Sequence, residues 1–307
     1  MEMRQVFADV LEDMMACDER VCIIDADLAR ANGTLRLRER FPERAIDVGV
    51  AEANMASVAA GLASYGFIPF ITSFAPFATR RICDQLAISV AYAKSNVKIV
   101  GTDPGIAAEL NGGTHMSFED LAITRAIPGI VVVEPVDNTQ LKQAVRAAAA
   151  YEGPVYMRFM RKTQPEVFDE SYKFDLFTAD VLREGRDVTI LATGIMAAKA
   201  VAAAEVLVKQ GCSVELINVH TLKPLDNKTI LNSIAKTKNA LTLENHSVIG
   251  GLYSAICELT ARYLPIKIGR IGAEDIFGQA GKFDELAEVY GFTVEEIVKK
   301  VSEIINL

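Results

Sequence analysis

The sequence predicts an α/β protein of two domains, each a mainly parallel sheet covered by helices. Three observations carry this reading. Short β-rich apolar runs alternate with helical runs along the chain, the order that right-handed crossovers between parallel strands require. That rhythm is interrupted once, at KTQPEVFDESYKFDLFTAD (162–180), which has a proline, several acids and no clear period. The length of 307 residues, at roughly 100–200 residues per domain, allows two domains that each bury a core. The expected units are a domain over 1–165, a linker over 166–180 and a second domain over 181–307.

In order along the chain, Val6, Phe7, Val10, Leu11, Met14 and Met15 recur at helical spacing and predict an amphipathic helix over 3–16. VCIIDAD (21–27) is a buried strand ending in acids. A loop and short helix lead to AIDVGVAEANM, where a strand passes into a long helix that runs to Gly66. GFIPFITSF is the next strand and 77–94 the next helix, with Pro76 suited to the start of it. VKIVGTDPG (97–105) runs into the glycine-bearing loop ELNGGTH, and IVVVEP (130–135), a helix over 137–151 and PVYMRF (154–159) close the first unit. The second unit reads DVTILATG, a helix over 196–210, CSVELINVH, a helix near 226–236, ALTLEN, a helix over 250–262, IKIGRIG and two closing helices. Its turn-rich loop EDIFGQAG stands out; no fixed-period repeat or low-complexity tract occurs.

Composition excludes several classes. With 32 Lys plus Arg against 40 Asp plus Glu, the net charge of −8 argues against a nucleic-acid or anionic-membrane partner, since both need a basic face. Apolar runs are broken well short of the roughly 20 residues a membrane span needs. The N-terminal residues do not read as a secretory signal. Five cysteines without a CxxC pair suggest reduced thiols and a cytoplasmic setting. There is no P-loop, GxSxG, HExxH or GxGxxG after the first strand.

Ligands of open parallel sheets gather at the carboxyl ends of strands, which selects Asp25 and Asp27, Glu52, Phe74 and Phe77, Asp103 through His115, and Arg158 and Arg161. Glu52 is either a carboxylate favoured by a helix N-terminus or, among small apolar neighbours, a desolvated acid able to share a proton with a ligand nitrogen. Phe74 and Phe77 are either core packing or an aromatic wall for a flat heterocycle. His115, in a loop with two glycines, is either solvated or a proton-transfer and hydroxyl-binding group. Arg4, Arg158 and Arg161 are either surface charges or a phosphate clamp. His220 and His246 are expected to be structural.

The ordered set Arg4, DADLA (25–29), GVAEANM (49–55), TSFAPF (72–77), NGGTH (111–115) and GPVYMRFMR (153–161) resembles the transketolase family. The likeness is to the family's C-terminal half and covers essentially the whole chain, with TG (193–194), LEN (243–245) and FGQAG (277–281) in the last domain. It implies the thiamine diphosphate-binding fold for the first, pyrimidine-binding domain and a transketolase C-terminal domain after it. The implied activity moves a two-carbon ketol unit from a ketose to an aldose. By the resemblance, Glu52 bonds the cofactor's pyrimidine, Phe77 stacks on it with Phe74 beside it, and Asp27 lies in an acidic loop near the cofactor. His115 contacts substrate hydroxyls, and Arg4 and Arg161 bind the substrate's phosphate.

The departures are equally specific. A phosphate-binding serine and histidine of the family fall at Ala31 and Asp103, a hydroxyl-recognising aspartate at Asn111, and the third aromatic of the cofactor wall at Arg80. Asp103 would repel a nearby phosphate, so the pentose phosphate substrates stay open. The family's GDG-to-Asn signature for diphosphate and Mg2+ is absent from these 307 residues. The implied enzyme is split, with an N-terminal-section chain supplying those ligands and active sites formed between chains in a two-plus-two heterotetramer in which this chain dimerises. Rival readings are 1-deoxyxylulose-5-phosphate synthase, the beta chain of a 2-oxo-acid dehydrogenase, and a non-catalytic subunit of the same fold.

Overall fold

The computed structural model describes residues 1–305. In the first half, α1 (Met3–Cys17), β1 (Val21–Asp25), α2 (Ala29–Asn32), α3 (Leu35–Arg40), β2 (Ala45–Asp47), α4 (Glu52–Ser64) and β3 (Ile68–Phe74) follow one another. After α5 (Cys83–Gln85) come β4 (Lys98–Thr102), α6 (Asp120–Ala126), β5 (Val131–Val133), α7 (Asn138–Ala150) and β6 (Val155–Phe159). The second half has β7 (Asp180–Arg183), β8 (Val188–Ala192), α8 (Ile195–Lys209), β9 (Val214–Asn218), β10 (Thr221–Lys223), α9 (Asn227–Thr237) and β11 (Ala240–Ser247). It closes with α10 (Leu252–Tyr263), β12 (Ile268–Ala273), α11 (Phe283–Tyr290) and α12 (Val294–Ile305). No described helix is long and apolar enough to cross a membrane.

Continuous apolar runs make β1, β4, β6, β8 and β9 buried at every position, as strands covered on both faces must be. The first sheet has the order β10-β5-β6-β4-β3-β1-β2 and the second β12-β11-β8-β9-β7. Every pairing is parallel except β10 with β5 and β7 with β9. The apolar stripe of α1 buries Val6, Phe7, Val10, Leu11 and Met15, and the Phe7 ring packs 5.5 Å from that of Phe159.

Four features depart from the sequence reading, the simplest being α6, which was not expected between ELNGGTH and IVVVEP. The helix expected over 77–94 begins later and is mixed: residues 75–79 form a turn, followed by a 3-10 turn Arg80–Ile82, α5, and a π-helix Leu86–Tyr92. The Phe74 carbonyl accepts from the amides of Phe77 and Ala78, so Pro76, which lacks an N–H, sits inside a tight turn and not at a helix start. Strands β7 and β10 were not expected, because each is short and lies on a sheet edge. Most consequential, β10 belongs to the second half in sequence yet extends the first sheet. The two halves therefore share one core, in which Leu191, Ile217, Leu222 and Leu252 join Ile24, Ile71 and Ile99, while the opposite face of the first sheet buries its own against Phe7, Leu11 and Leu141. Ile106, Met116, Phe118 and Met160 pack into the core of the second sheet.

At this junction lies a buried polar network. Arg158, fully buried, donates to Asp120 Oδ1 at 2.7 Å and to the Asn245 carbonyl at 2.8 Å, and pairs with Glu134 at 3.0 Å. Arg158 is thus neither a surface charge nor a phosphate clamp. Tyr156 donates to Asp120 at 2.6 Å and Thr193 to Glu134 at 3.0 Å. His220 and His246 are both buried in the scaffold, as expected. Burial lowers the His246 pKa to about 4 and raises that of Glu244 to about 8, against the pull of the Leu252 and Tyr253 amides on Glu244.

Removing one member of a buried ion pair leaves its partners uncompensated. Arg158→Ala should cost about 3–5 kcal/mol in urea unfolding; a loss within 1 kcal/mol, roughly a surface effect, would contradict the network's role. Glu244 holds a proton more tightly folded than unfolded, so its stabilisation is complete below its ordinary range near 4.5 and lost as pH rises toward about 8. Glu244→Gln should therefore gain on the native chain between pH 5 and pH 8, by ~1 kcal/mol or more, in paired urea titrations. An unchanged or reversed difference would refute that sign.

Candidate functional site

Because β6, β4, β3, β1 and β2 are adjacent and parallel, their carboxyl ends share one edge of the first sheet. The loops after them carry the selected side chains, and two clusters form there, joined at Phe74.

The first cluster centres on Phe77. Its ring lies 5.1 Å from that of His115 and 6.2 Å from that of Phe74, and His115 lies 5.9 Å from Phe74. Glu52 opens α4 and is buried, yet its carboxylate is not idle at a helix end: it accepts a 2.5 Å hydrogen bond from Arg81 Nη1. The Arg81 guanidinium sits 3.8 Å from the centre of the Phe77 ring. Thus Phe74 and Phe77 are a partly exposed wall, and a flat cation already lies between that wall and the carboxylate. His115 is oriented by Thr114 at 2.9 Å. Its loop packs on the second domain so closely that a side chain at Gly113 would stand 2.4 Å from the Gly278 carbonyl. FGQAG thereby backs the histidine loop, which explains why both are glycine-bearing.

The second cluster centres on Arg161. Its Nε donates to Asp103 Oδ2 at 2.5 Å, its amide to Asp103 Oδ1 at 2.8 Å, and its Nη1 to the Ala31 carbonyl at 3.1 Å. Arg4 reaches the same carbonyl at 3.0 Å, while its Nε donates to Glu2 at 2.7 Å. The backbone secures this meeting, since the Arg4 amide donates to the Arg161 carbonyl at 3.1 Å. The Arg161 guanidinium lies 4.7 Å from the Phe74 ring centre, linking the two clusters. Burial raises the Asp103 pKa, and the facing Arg161 only partly offsets it.

Asp103 adopts φ 50 and is followed by Gly105 at φ 54. Asn245 of the second domain clamps this turn, donating to the Pro104 carbonyl and accepting from the Ile106 amide, both at 2.9 Å. An added side chain at Gly105 would stand 2.1 Å from Asn245 Oδ1, so glycine is required.

Three expected site residues stand apart. Asp27 and Asn111 are exposed, and the Asp27 amide donates to Asp47 at 3.0 Å. Arg80 pairs with Glu119 at 2.5 Å and borders a neighbouring cleft of about 410 Å³, whose walls include Phe118, Ile249 and Phe277. The residue that meets Phe77 and Glu52 is its neighbour Arg81, which the sequence reading missed; the doubled arginine of FATRR was the available signal. Glu2 was missed too, with no local pattern to reveal it, and Asn245 was marked only as the end of LEN (243–245), without the clamping role it has here.

Comparison with known proteins identifies the two domains. Residues 1–166 match the transketolase pyrimidine binding domain family and residues 178–297 the transketolase C-terminal domain family. The chain is 51% identical over 302 residues to the 6-deoxy-6-sulfo-D-fructose transketolase subunit SqwH of Clostridium sp. (strain MSTE9), covering 98% of this chain and 94% of that one. It is 32% identical to an apulose-4-phosphate transketolase subunit of Phocaeicola vulgatus, covering 99% and 97%. A solved structure described as a split gene transketolase, inactive beta4 tetramer, superposes with a TM-score of 0.91 at 38% identity, covering 100% of this chain and 99% of that one. With two domain families matched end to end and full-length relatives among split subunits, the chain belongs to the transketolase family, as the C-terminal section of a split transketolase.

Proposed function

We propose that this chain supplies the pyrimidine-binding and substrate-contacting half of a thiamine diphosphate-dependent ketol-transfer site. An N-terminal-section partner chain holds the diphosphate and Mg2+. The observation that carries the reading is the corner formed by Glu52, Phe77 and Arg81. A flat, N–H-bearing guanidinium lies there on an aromatic face and donates to a buried carboxylate. A flat heterocycle with a protonated ring nitrogen makes the same two contacts, so the residues present fit the pyrimidine once Arg81 swings out to solvent, where its side chain is already 46% exposed.

When bound, thiamine diphosphate supplies the carbon nucleophile and electron sink for cleaving and forming the carbon–carbon bond. Glu52 holds a proton at the pyrimidine ring nitrogen, its carboxylate fixed by the start of α4. Phe77 stacks on that ring and Phe74 completes the wall. His115, at ring contact with both, bonds the donor's hydroxyls and moves protons there. Arg4 and Arg161 hold an anionic distal group of the sugar, with Asp103 beside them. Asp27, in the acidic loop near the cofactor, and Asn111, a sugar contact, are exposed and rest on the family resemblance alone, and Arg80 pairs with Glu119 instead of stacking. The donor to test first is 6-deoxy-6-sulfo-D-fructose, named for the relative at 51% identity. Five free thiols support a cytoplasmic setting.

Reconstitution with the partner chain tests this. Glu52→Gln should lower ketol transfer by about 100-fold or more while the complex still assembles; near-native turnover would remove Glu52 from the chemistry. A ketose should serve as donor and pyruvate should not. Activity confined to pyruvate would favour the synthase or dehydrogenase reading. Light scattering of the mixture should give two copies of each chain, whereas a one-to-one pair would refute the two-plus-two assembly.

A further inference from the structure

The Arg4–Arg161 corner carries a fixed carboxylate and a releasable one, and the difference sets a charge count. Asp103 is fixed. Both its oxygens are bonded to Arg161, its side chain is 6% exposed, and the turn that bears it is clamped by the fully buried Asn245. Glu2 is releasable: it is 34% exposed, precedes α1, and meets Arg4 through its side chain alone. An incoming anion therefore displaces Glu2 and leaves Asp103 in place. The neighbouring Lys162–Glu109 pair, 2.5 Å apart, balances itself.

Two guanidinium groups facing one immovable carboxylate leave a single net positive charge for the ligand. A sulfonate carries one negative charge and matches it. A phosphate monoester carries nearly two at neutral pH, so one would stay unmatched in a corner where Arg161 is only 17% exposed, and such a charge is penalised. A neutral group would leave Arg4 on Glu2 and gain nothing from the pair.

We infer that Asp103 is a specificity-determining residue that limits the donor ketose to one negative charge on its distal group, selecting sulfonate over phosphate. The inference rests on the reading of Arg4 and Arg161 as the seat of that group.

The test uses the assembled two-chain enzyme with 6-deoxy-6-sulfo-D-fructose and D-fructose 6-phosphate as donors and one common acceptor. The native enzyme should favour the sulfonate in kcat/KM by about tenfold or more. Asp103→Asn should shrink that ratio about tenfold, chiefly by lowering KM for the phosphate, and Asp103→Glu should keep the native preference. A native enzyme that favours the phosphate, or an unchanged ratio in a folded Asp103→Asn complex, would overturn the inference. Calorimetric binding of both donors separates it from the reading beneath it. Sulfonate-selective binding that Asp103→Asn abolishes, with no turnover of either donor, would uphold charge selection and refute ketol transfer. Equal binding of the two donors to the native enzyme would refute charge selection whatever the turnover.

Discussion

The Arg158 guanidinium is the contact on which the rest of the molecule depends. It ends β6 in the first sheet and bonds Asp120, Glu134 and the Asn245 backbone, so one buried cation ties α6, the β5 end and β11 together. A bare charge in such a place would be prohibitive; three oxygen partners make it tolerable and make its geometry obligatory. Asn245, held through its carbonyl by Arg158, uses its side chain to clamp the turn that carries Asp103. The second domain thus reaches the loops at the carboxyl edge of the first sheet. It acts by shaping the loops after β4, through Asn245 at one end and FGQAG against Gly113 at the other.

Much of this was legible in the sequence where the signal is periodic or ordered. The strand–helix alternation gave both sheets, because fully buried parallel strands leave continuous apolar runs. The ordered motifs brought Glu52, Phe74, Phe77 and His115 to one edge of the first sheet. What stayed hidden depends on contacts between distant residues. Arg158 looks like any strand-end arginine until Asp120 and Glu134 are brought against it. Arg81 is one residue from the position that drew attention, and it is the 3-10 turn Arg80–Ile82 that carries both arginines, with Arg81 toward Phe77 and Arg80 toward Glu119. Strands β7 and β10 are too short to carry a pattern, and their existence follows from the sheet edges they complete.

The arginines of the first sheet's carboxyl edge are each answered by a carboxylate of the same chain. In this chain's conformation Arg81 is answered by Glu52, Arg161 by Asp103, Arg4 by Glu2 and Arg80 by Glu119. These internal pairings let a protein of net charge −8 keep four arginines along one sheet edge without becoming a general anion trap. On the proposed reading, an anion bound there exchanges partners with these carboxylates, and those that can leave differ from those that cannot.

The return of β10 to the first sheet has a consequence for how such an enzyme can be divided. A chain whose second half lends a strand to the first half's sheet would, if severed at the linker, leave the first piece without an edge strand and part of its apolar covering. Nor can either half be exchanged for that of a distant relative without also exchanging the other. The shared strand and shared core make each half the cover of the other.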